Sequence, residues 1–123
     1  MKKNALQNLY AGVSAVPAIV LMIHGLLLLH AYLILGAWPR PYLNDPKYLS
    51  DSILWQFHFY TTIFSTFLLW VITIIIWPIF SVYLFKKGIL SKKVIIIASI
   101  IFILASVILF SLLQGSTGNW LAD

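Results

Sequence analysis

Cysteine and glutamate are absent from the 123 residues, and aspartate occurs three times, as Asp45, Asp51 and Asp123. Without cysteine there can be no disulfide, iron–sulfur cluster, thiolate zinc site or cysteine nucleophile. Charged residues amount to 9% and apolar residues to 62%, against about 25% and about 45–50% in an ordinary soluble domain. A chain this short cannot hide that much apolar surface from water with so few charges. Mean hydropathy is +0.99, which also excludes a disordered chain. The few acids matter for chemistry as well. No carboxylate lies in any apolar stretch, whereas proton pumps and many ion-coupled transporters bury Asp or Glu as relays. Paired acids and Ser/His or Ser/Lys arrangements for intramembrane hydrolysis are missing too, so the chain reads as non-enzymatic.

What the sequence does contain is three long runs free of Asp, Glu, Lys and Arg, at residues 13–35, 53–85 and 94–113. A spanning helix needs about 20 mainly apolar residues. In hydrocarbon every backbone N–H and C=O must be paired internally, which for runs of this length means helices. A closed barrel would need alternating segments of about ten residues, and none is visible. The expected fold is therefore all-α: one integral membrane domain of three transmembrane helices in an antiparallel bundle, with spans at about 13–36, 55–84 and 93–114. Lys2 and Lys3 ahead of an apolar stretch resemble the start of a signal peptide. The stretch is longer than an h-region of about 7–15 residues, and Leu35-Gly36-Ala37 lacks a small residue at its first position, so no cleavage is expected.

Eight Lys/Arg give a net charge of +5. They flank the apolar runs rather than lining one face, which speaks against a nucleic-acid interface and for membrane topology. Lys2, Lys3, Lys86, Lys87, Lys92 and Lys93 fall on one side of a three-span chain; Arg40 and Lys47 fall on the other. The positive-inside rule then puts the N-terminus and the inner turn 86–92 in the cytoplasm, and the loop 38–52 and the C-terminus outside. Trp38, Tyr42, Tyr48, Trp55 and Trp120 are expected at the outer interface, and Trp77 and Tyr83 at the inner one, as an aromatic belt.

The second run is too long for one crossing: at 1.5 Å per residue it measures about 50 Å against a hydrocarbon core of about 30 Å. Pro78 cannot donate to the Ile74 carbonyl and predicts a kink. Residues 53–60 read as an outer interfacial turn, capped by Ser50 or Asp51. In the outer loop, Asp45-Pro46 predicts an N-cap followed by the first residue of a short interfacial helix, about 46–50. The turn 86–92 predicts a helical hairpin around Gly88.

Three histidines are the candidate ligands. His24 and His30, six residues apart, point about 120° apart and lie about 9 Å apart along a helix, so they cannot serve one ligand. His30 and His58 are the pair to consider for a b-type haem. The expected registers put them about 7 Å and about 14 Å from the midplane, a mismatch for axial ligands of one iron. A metal site joining His58 to Asp45 or Asp51 has nothing to fix its geometry. The bland alternative is neutral histidines that hydrogen-bond across helices or to Ser, Thr or backbone.

His58, Thr62, Ser65, Thr66 and Thr73 form a polar stripe on the second span. It is expected to pack against another helix, with a pathway lining as the alternative. Ala98, Ser99, Ala105 and Ser106 recur at seven-residue spacing on the third span, and Ala11, Ala15, Ala18 and Gly25 on the first; small residues let helices approach closely in lipid. The outer loop, stiffened by prolines, offers Trp38, Pro39, Asn44, Asp45 and Pro46 as contact residues, to cap the helices or meet a partner.

Gly36-Ala37-Trp38-Pro39 followed by Asn44-Asp45-Pro46-Lys47 resembles the first outer loop of small multi-pass bacterial membrane proteins. The resemblance covers about a tenth of the chain. It implies a bacterial plasma membrane and brings no catalytic residues. The function expected from all this is a non-catalytic accessory or structural subunit of a larger membrane complex, in contact with lipid and other membrane subunits or its own copies. A haem-bearing electron-transfer subunit and a small oligomeric channel or transporter component are the alternatives.

Overall fold

In the computed structural model, which describes residues 2–122, the apolar runs are helical throughout. The elements are α1 (Lys3–Leu35), a 3-10 turn (Pro46–Tyr48), α2 (Ile53–Phe64), a π-helical segment (Ser65–Trp70), α3 (Val71–Lys86), α4 (Lys92–Gln114) and α5 (Ser116–Ala122). No strand occurs among the described residues. α2, the π segment and α3 form one continuous 34-residue helix, and with α1 and α4 they make three helices long and apolar enough to cross a membrane.

α1 begins at Lys3, ten residues ahead of the apolar run at Val13. Nothing between Asn4 and Gly12 breaks a helix, and the extension is packed: Leu6 lies against the buried Tyr10, Trp77, Leu84, Leu90 and Phe102. The buried positions of α1 are Tyr10, Ser14, Pro17, Val20, His24, Leu27 and Ala31. They recur at steps of three and four, about 3.5 residues on average, the period of a seam between supercoiled helices. The alanine–glycine set expected to mark that seam is displaced from it. Ala15 and Ala18 are half-buried, while Ala11 and Gly25 are exposed, because the seam is set by the larger side chains one position away.

Helix ends follow local chemistry. Gly36 (φ 67°) closes α1 by donating to the Tyr32 carbonyl at 2.8 Å. Gly88 (φ 65°) and Ile89 close α3 with bonds to the carbonyls of Phe85 (2.9 Å) and Leu84 (3.0 Å), the paired arrangement that a left-handed glycine allows. The Gln7 amide donates to the Ile89 carbonyl at 2.9 Å, tying α1 to this turn. α2 is capped by Ser52, whose Oγ accepts from the Trp55 N–H at 3.1 Å, and not by Ser50 or Asp51. The Ser50 Oγ instead accepts from the Ser52 N–H. α2 is helical from Ile53 onward, so residues 53–60 are no separate turn. Asp45 caps the 3-10 turn, its carboxylate accepting from the Lys47 N–H at 2.9 Å, with Pro46 in the first position. That turn is shorter and tighter than the helix expected over 46–50.

The interior falls into three clusters along the helices, each built on buried tryptophan. Towards the lysine-rich turn, Trp77 stacks on Phe102 (centroids 4.5 Å, planes 11° apart). Further along, Trp70 packs with Val20 and Leu109. Towards the proline loop, Trp55 and Trp120 pack with Leu27, Ala31 and Phe59. Trp55, Trp77 and Trp120 therefore leave the aromatic belt assigned to them: all three are buried, whereas Trp38, Tyr42, Tyr48 and Tyr83 are exposed. The reason is the indole N–H, which finds an acceptor inside the chain in each case. Trp55 donates to the Pro46 carbonyl (2.8 Å), Trp77 to Ser14 Oγ (2.8 Å), Trp70 to Ser106 Oγ (3.2 Å) and Trp120 to the Asn44 carbonyl.

Pro78 sits inside α3 without ending it. The irregularity in the second span lies earlier, at the π segment. Pro17 sits likewise inside α1. The unforeseen element is α5, which folds back so that Gly118 lies against the last turn of α4. A Cβ at Gly118 would stand 1.7 Å from the Leu113 carbonyl oxygen, a clash with backbone that no rotamer relieves. Gly118→Ala is therefore expected to lift α5 and expose Trp120, with a red shift in tryptophan emission and a loss of about 1–3 kcal/mol in detergent unfolding. Unchanged emission and stability would contradict this packing.

Candidate functional site

The polar residues of α1 and the second span meet in one seam. The hydroxyls of that seam are explained first by their own helix. Thr62 Oγ1 donates to the His58 carbonyl (2.9 Å), Ser65 Oγ to the Thr62 carbonyl (3.0 Å), and Thr73 Oγ1 to the Leu69 carbonyl. Thr62, Ser65, Thr66 and Thr73 are all buried, so the stripe lies inside the protein, with its hydroxyl protons mostly used locally. On α4, Ala105 is buried and Ala98 half-buried.

Two members of the stripe reach α1, His58 and, in the π segment, Thr66. The Thr66 Oγ1 lies 3.2 Å from His24 Nε2 and 2.7 Å from the Thr62 carbonyl. His24 Nδ1 lies 3.0 Å from the Val20 carbonyl. Proton counting limits this arrangement. A carbonyl only accepts, so Nδ1 carries the proton towards Val20 and Nε2 of a neutral ring must accept. Thr66 then has one proton and two acceptors within reach, His24 Nε2 and the Thr62 carbonyl. A neutral His24 satisfies either contact at a time; a ring protonated on both nitrogens satisfies all three bonds together. Beside it a cavity of about 260 Å³ is bounded by His24, Thr62, Thr66, Leu113, Gly118 and Leu121, so α5 forms part of its wall.

His30 and His58 meet directly, Nδ1 to Nδ1 at 3.3 Å, with ring centroids 5.5 Å apart. The depth mismatch expected for them is thus corrected. His30 stands five residues before the end of α1 and His58 five residues after the start of α2, and helix from Ile53 onward brings the two to one level. Trp55 packs edge-on against His30 at 5.1 Å. One nitrogen of the pair donates and the other accepts.

Two ligand readings can be measured against this geometry. Axial histidines of a haem stand on opposite faces of the macrocycle. Rings in direct hydrogen-bonding contact leave no layer between them for it, and the residues do not fit that group. A single tetrahedral ion with bonds of about 2.0–2.1 Å would hold two nitrogens about 3.3–3.4 Å apart, so the spacing alone suits a metal. Protein sites supply three or four ligands, however, and no cluster of three or more His, Cys, Asp or Glu occurs among the described residues. Asp45 is engaged at its turn. The hydrogen-bonded pair accounts for the spacing without an ion.

The loop residues Trp38, Pro39, Asn44, Asp45 and Pro46 are drawn onto the helix ends. Asn44 Oδ1 accepts from the Arg40 N–H at 3.1 Å, while the carbonyls of Asn44 and Pro46 receive Trp120 and Trp55. Trp38 and Pro39 border a cleft of about 180 Å³ with Leu28, Ser116 and Trp120. A second polar group was not singled out from the sequence. The Ser14 hydroxyl donates to the Tyr10 carbonyl (2.8 Å) and accepts from Trp77, while the Tyr10 and Ser81 hydroxyls lie 3.1 Å apart. Its only sequence signal is that Ser14 and Tyr10 share the 3.5-residue seam. No protein-family model, curated protein or solved structure matches the chain.

The cross-helix bonds have a measurable worth. Interhelical hydrogen bonds in membranes average about 0.6 kcal/mol and reach about 1.7 kcal/mol. A double-mutant cycle on His30→Ala and His58→Ala is expected to give a coupling energy in that range in detergent unfolding, and Thr66→Val is expected to destabilise where Thr66→Ser does not. Additive His variants would mean the two rings are not paired.

Proposed function

We propose that the chain is a non-catalytic subunit of a larger membrane assembly, an antiparallel three-helix bundle in a bacterial plasma membrane that works by lateral packing. The N-terminus and the lysine turn face the cytoplasm in this reading; the proline loop, with its 3-10 turn along the membrane surface, and the C-terminus face outward. Six of the eight basic residues on one side support that orientation. The observation that carries the functional reading is internal satisfaction. Among the described residues no buried side-chain nitrogen or oxygen lacks a partner, as suits a chain whose interior polar groups serve its own packing. Meanwhile the second span and α4 leave an apolar furrow of about 340 Å³ between Trp70, Ile74, Phe102, Ile103, Val107 and Phe110. Side chains of a partner's transmembrane helix would seat there, since shape rather than hydrophobicity drives helix association in lipid.

Gentle extraction at native expression, followed by identification of co-purifying membrane proteins, tests this. A stoichiometric partner is expected, and Ile103→Trp, which fills the furrow, is expected to reduce its recovery without altering helix content. A sole 14.0 kDa species would overturn the reading.

The cavity at His24 supports a second reading, a component of a proton or small-solute pathway. Proteoliposomes of the purified chain would then show a flux that His24→Phe abolishes. Tight vesicles would remove it.

A further inference from the structure

A larger opening lies at the other end of the molecule. The first turns of α1 and α4 enclose a groove of about 710 Å³ whose walls include Ala11, Ala15, Ala98, Ile97 and Ile101, with Lys3 and Ser91 at its mouth. Its existence follows from side-chain size. Ala11 and Ala15 of α1 and Ala98 of α4 all line it, and the small side chains at these positions leave space that larger ones would fill. The polar groups that border it are already bonded within the chain. Gln7 donates to the Ile89 carbonyl, Ser14 to the Tyr10 carbonyl, and Ser91 accepts from the Val94 N–H. What remains open is an apolar trough.

Its surroundings are cationic. Lys3 borders the groove, and Lys2, Lys86, Lys87, Lys92 and Lys93 stand exposed at the same end of the molecule, where α1 and α4 begin and α3 ends. Asp45 and Asp51, the acids among the described residues, belong to the loop between α1 and α2, at the opposite end of those helices. The depth is also telling. Along α4, whose expected span begins at about residue 93, the groove runs from Ser91 to Ile101, about 15 Å, or half of a hydrocarbon core of about 30 Å. An apolar slot of that length, with Lys3 at its mouth and five more lysines at the same end of the molecule, matches a molecule with an acyl chain below and an anionic group above.

We propose that this groove binds one anionic glycerophospholipid of the adjoining leaflet, an acyl chain lying between α1 and α4 and the phosphate group among the lysines at that end of the molecule. Basic pockets between transmembrane helices are suited to such head groups, and a volume in the range of about 300–1,000 Å³ is that of small-molecule sites. The alanines then act as the selective feature: they keep the slot open, while the lysines choose the charge. Each lysine that engages the head group contributes about fivefold in preference for anionic over zwitterionic lipid, and added salt weakens that preference.

The full chain, reconstituted in vesicles of equal phosphatidylglycerol and phosphatidylcholine and released for native mass spectrometry, is expected to retain one phosphatidylglycerol. Ala98→Leu and Ala15→Leu each fill the slot without touching charge and are expected to lose the retained lipid, with helix content unchanged. Lys92→Gln with Lys93→Gln is expected to keep a bound lipid but lower the anionic preference. Equal retention of both lipids by the unaltered chain overturns the proposal, as does undiminished phosphatidylglycerol on a folded leucine variant. The measurement needs no partner protein, so its outcome is separate from that of the subunit reading.

Discussion

The structure depends on one constraint: a polar hydrogen inside hydrocarbon must find an acceptor within the protein, since there is no water to supply one. Four of the five tryptophans are placed by it. Each indole is large enough to join two or three helices, and each carries a single N–H that has to be answered. Trp77 reaches Ser14 on α1, Trp70 reaches Ser106 on α4, and Trp55 and Trp120 reach loop carbonyls at Pro46 and Asn44. Ring packing alone would let these helices slide along one another. A donor that must meet one acceptor fixes their register. The serines opposite them are small enough to sit in the seam and polar enough to receive the bond. Lipid supplies no hydrophobic drive for helices to associate, and this combination of close packing with a few cross-helix bonds takes its place.

The same constraint explains the proline loop. A loop next to the membrane carries carbonyls that a helix would have bonded internally. Two of them are turned inward, where Trp55 and Trp120 use them. The loop is therefore a lid on the helix ends rather than a free tether, and α5 completes it from the other side, with Gly118 permitting a backbone approach that any side chain would block. The π segment has a comparable role within the second span. An α-helix of 34 residues presents only one rotational phase to its neighbours. The π segment runs from Ser65 to Trp70, and from it Thr66 meets His24 on α1 while Trp70 meets Ser106 on α4.

Much of this was legible in the sequence, for physical reasons. Helix in lipid is dictated by backbone satisfaction over some 20 residues, so the three long helices followed from run length alone. Gly88 announced its turn and Asp45-Pro46 its cap, since both act through local geometry. The tryptophans were misplaced because the amphipathic ring that suits an interface also suits a buried bond, and the acceptor that decides between them is remote in sequence: 63 residues separate Trp77 from Ser14 and 76 separate Trp120 from Asn44. The histidine pair was misjudged for a related reason. Its depth depends on how the long second span is set against α1, and that level is fixed by contacts remote in sequence, such as His30 with His58 itself. The π segment and α5 had no sequence signal of the kind used: Ser65–Trp70 is as apolar and unbroken as its flanks, and Ser116–Ala122 is too short for a periodic pattern.

The histidines carry the remaining tension in the molecule. Packing alone would be served as well by Asn or Gln at His24, each offering both a donor and an acceptor. An imidazole differs in having two nitrogens whose roles exchange with protonation. At His24 three contacts share two protons while the ring is neutral, one on Nδ1 and one on Thr66. A third proton would satisfy every bond but place a charge deep in a span, at a cost of several kcal/mol unless water reaches it. The cavity against His24 and Thr66 is where such water would stand, and Gly118 and Leu121 of α5 form part of its wall.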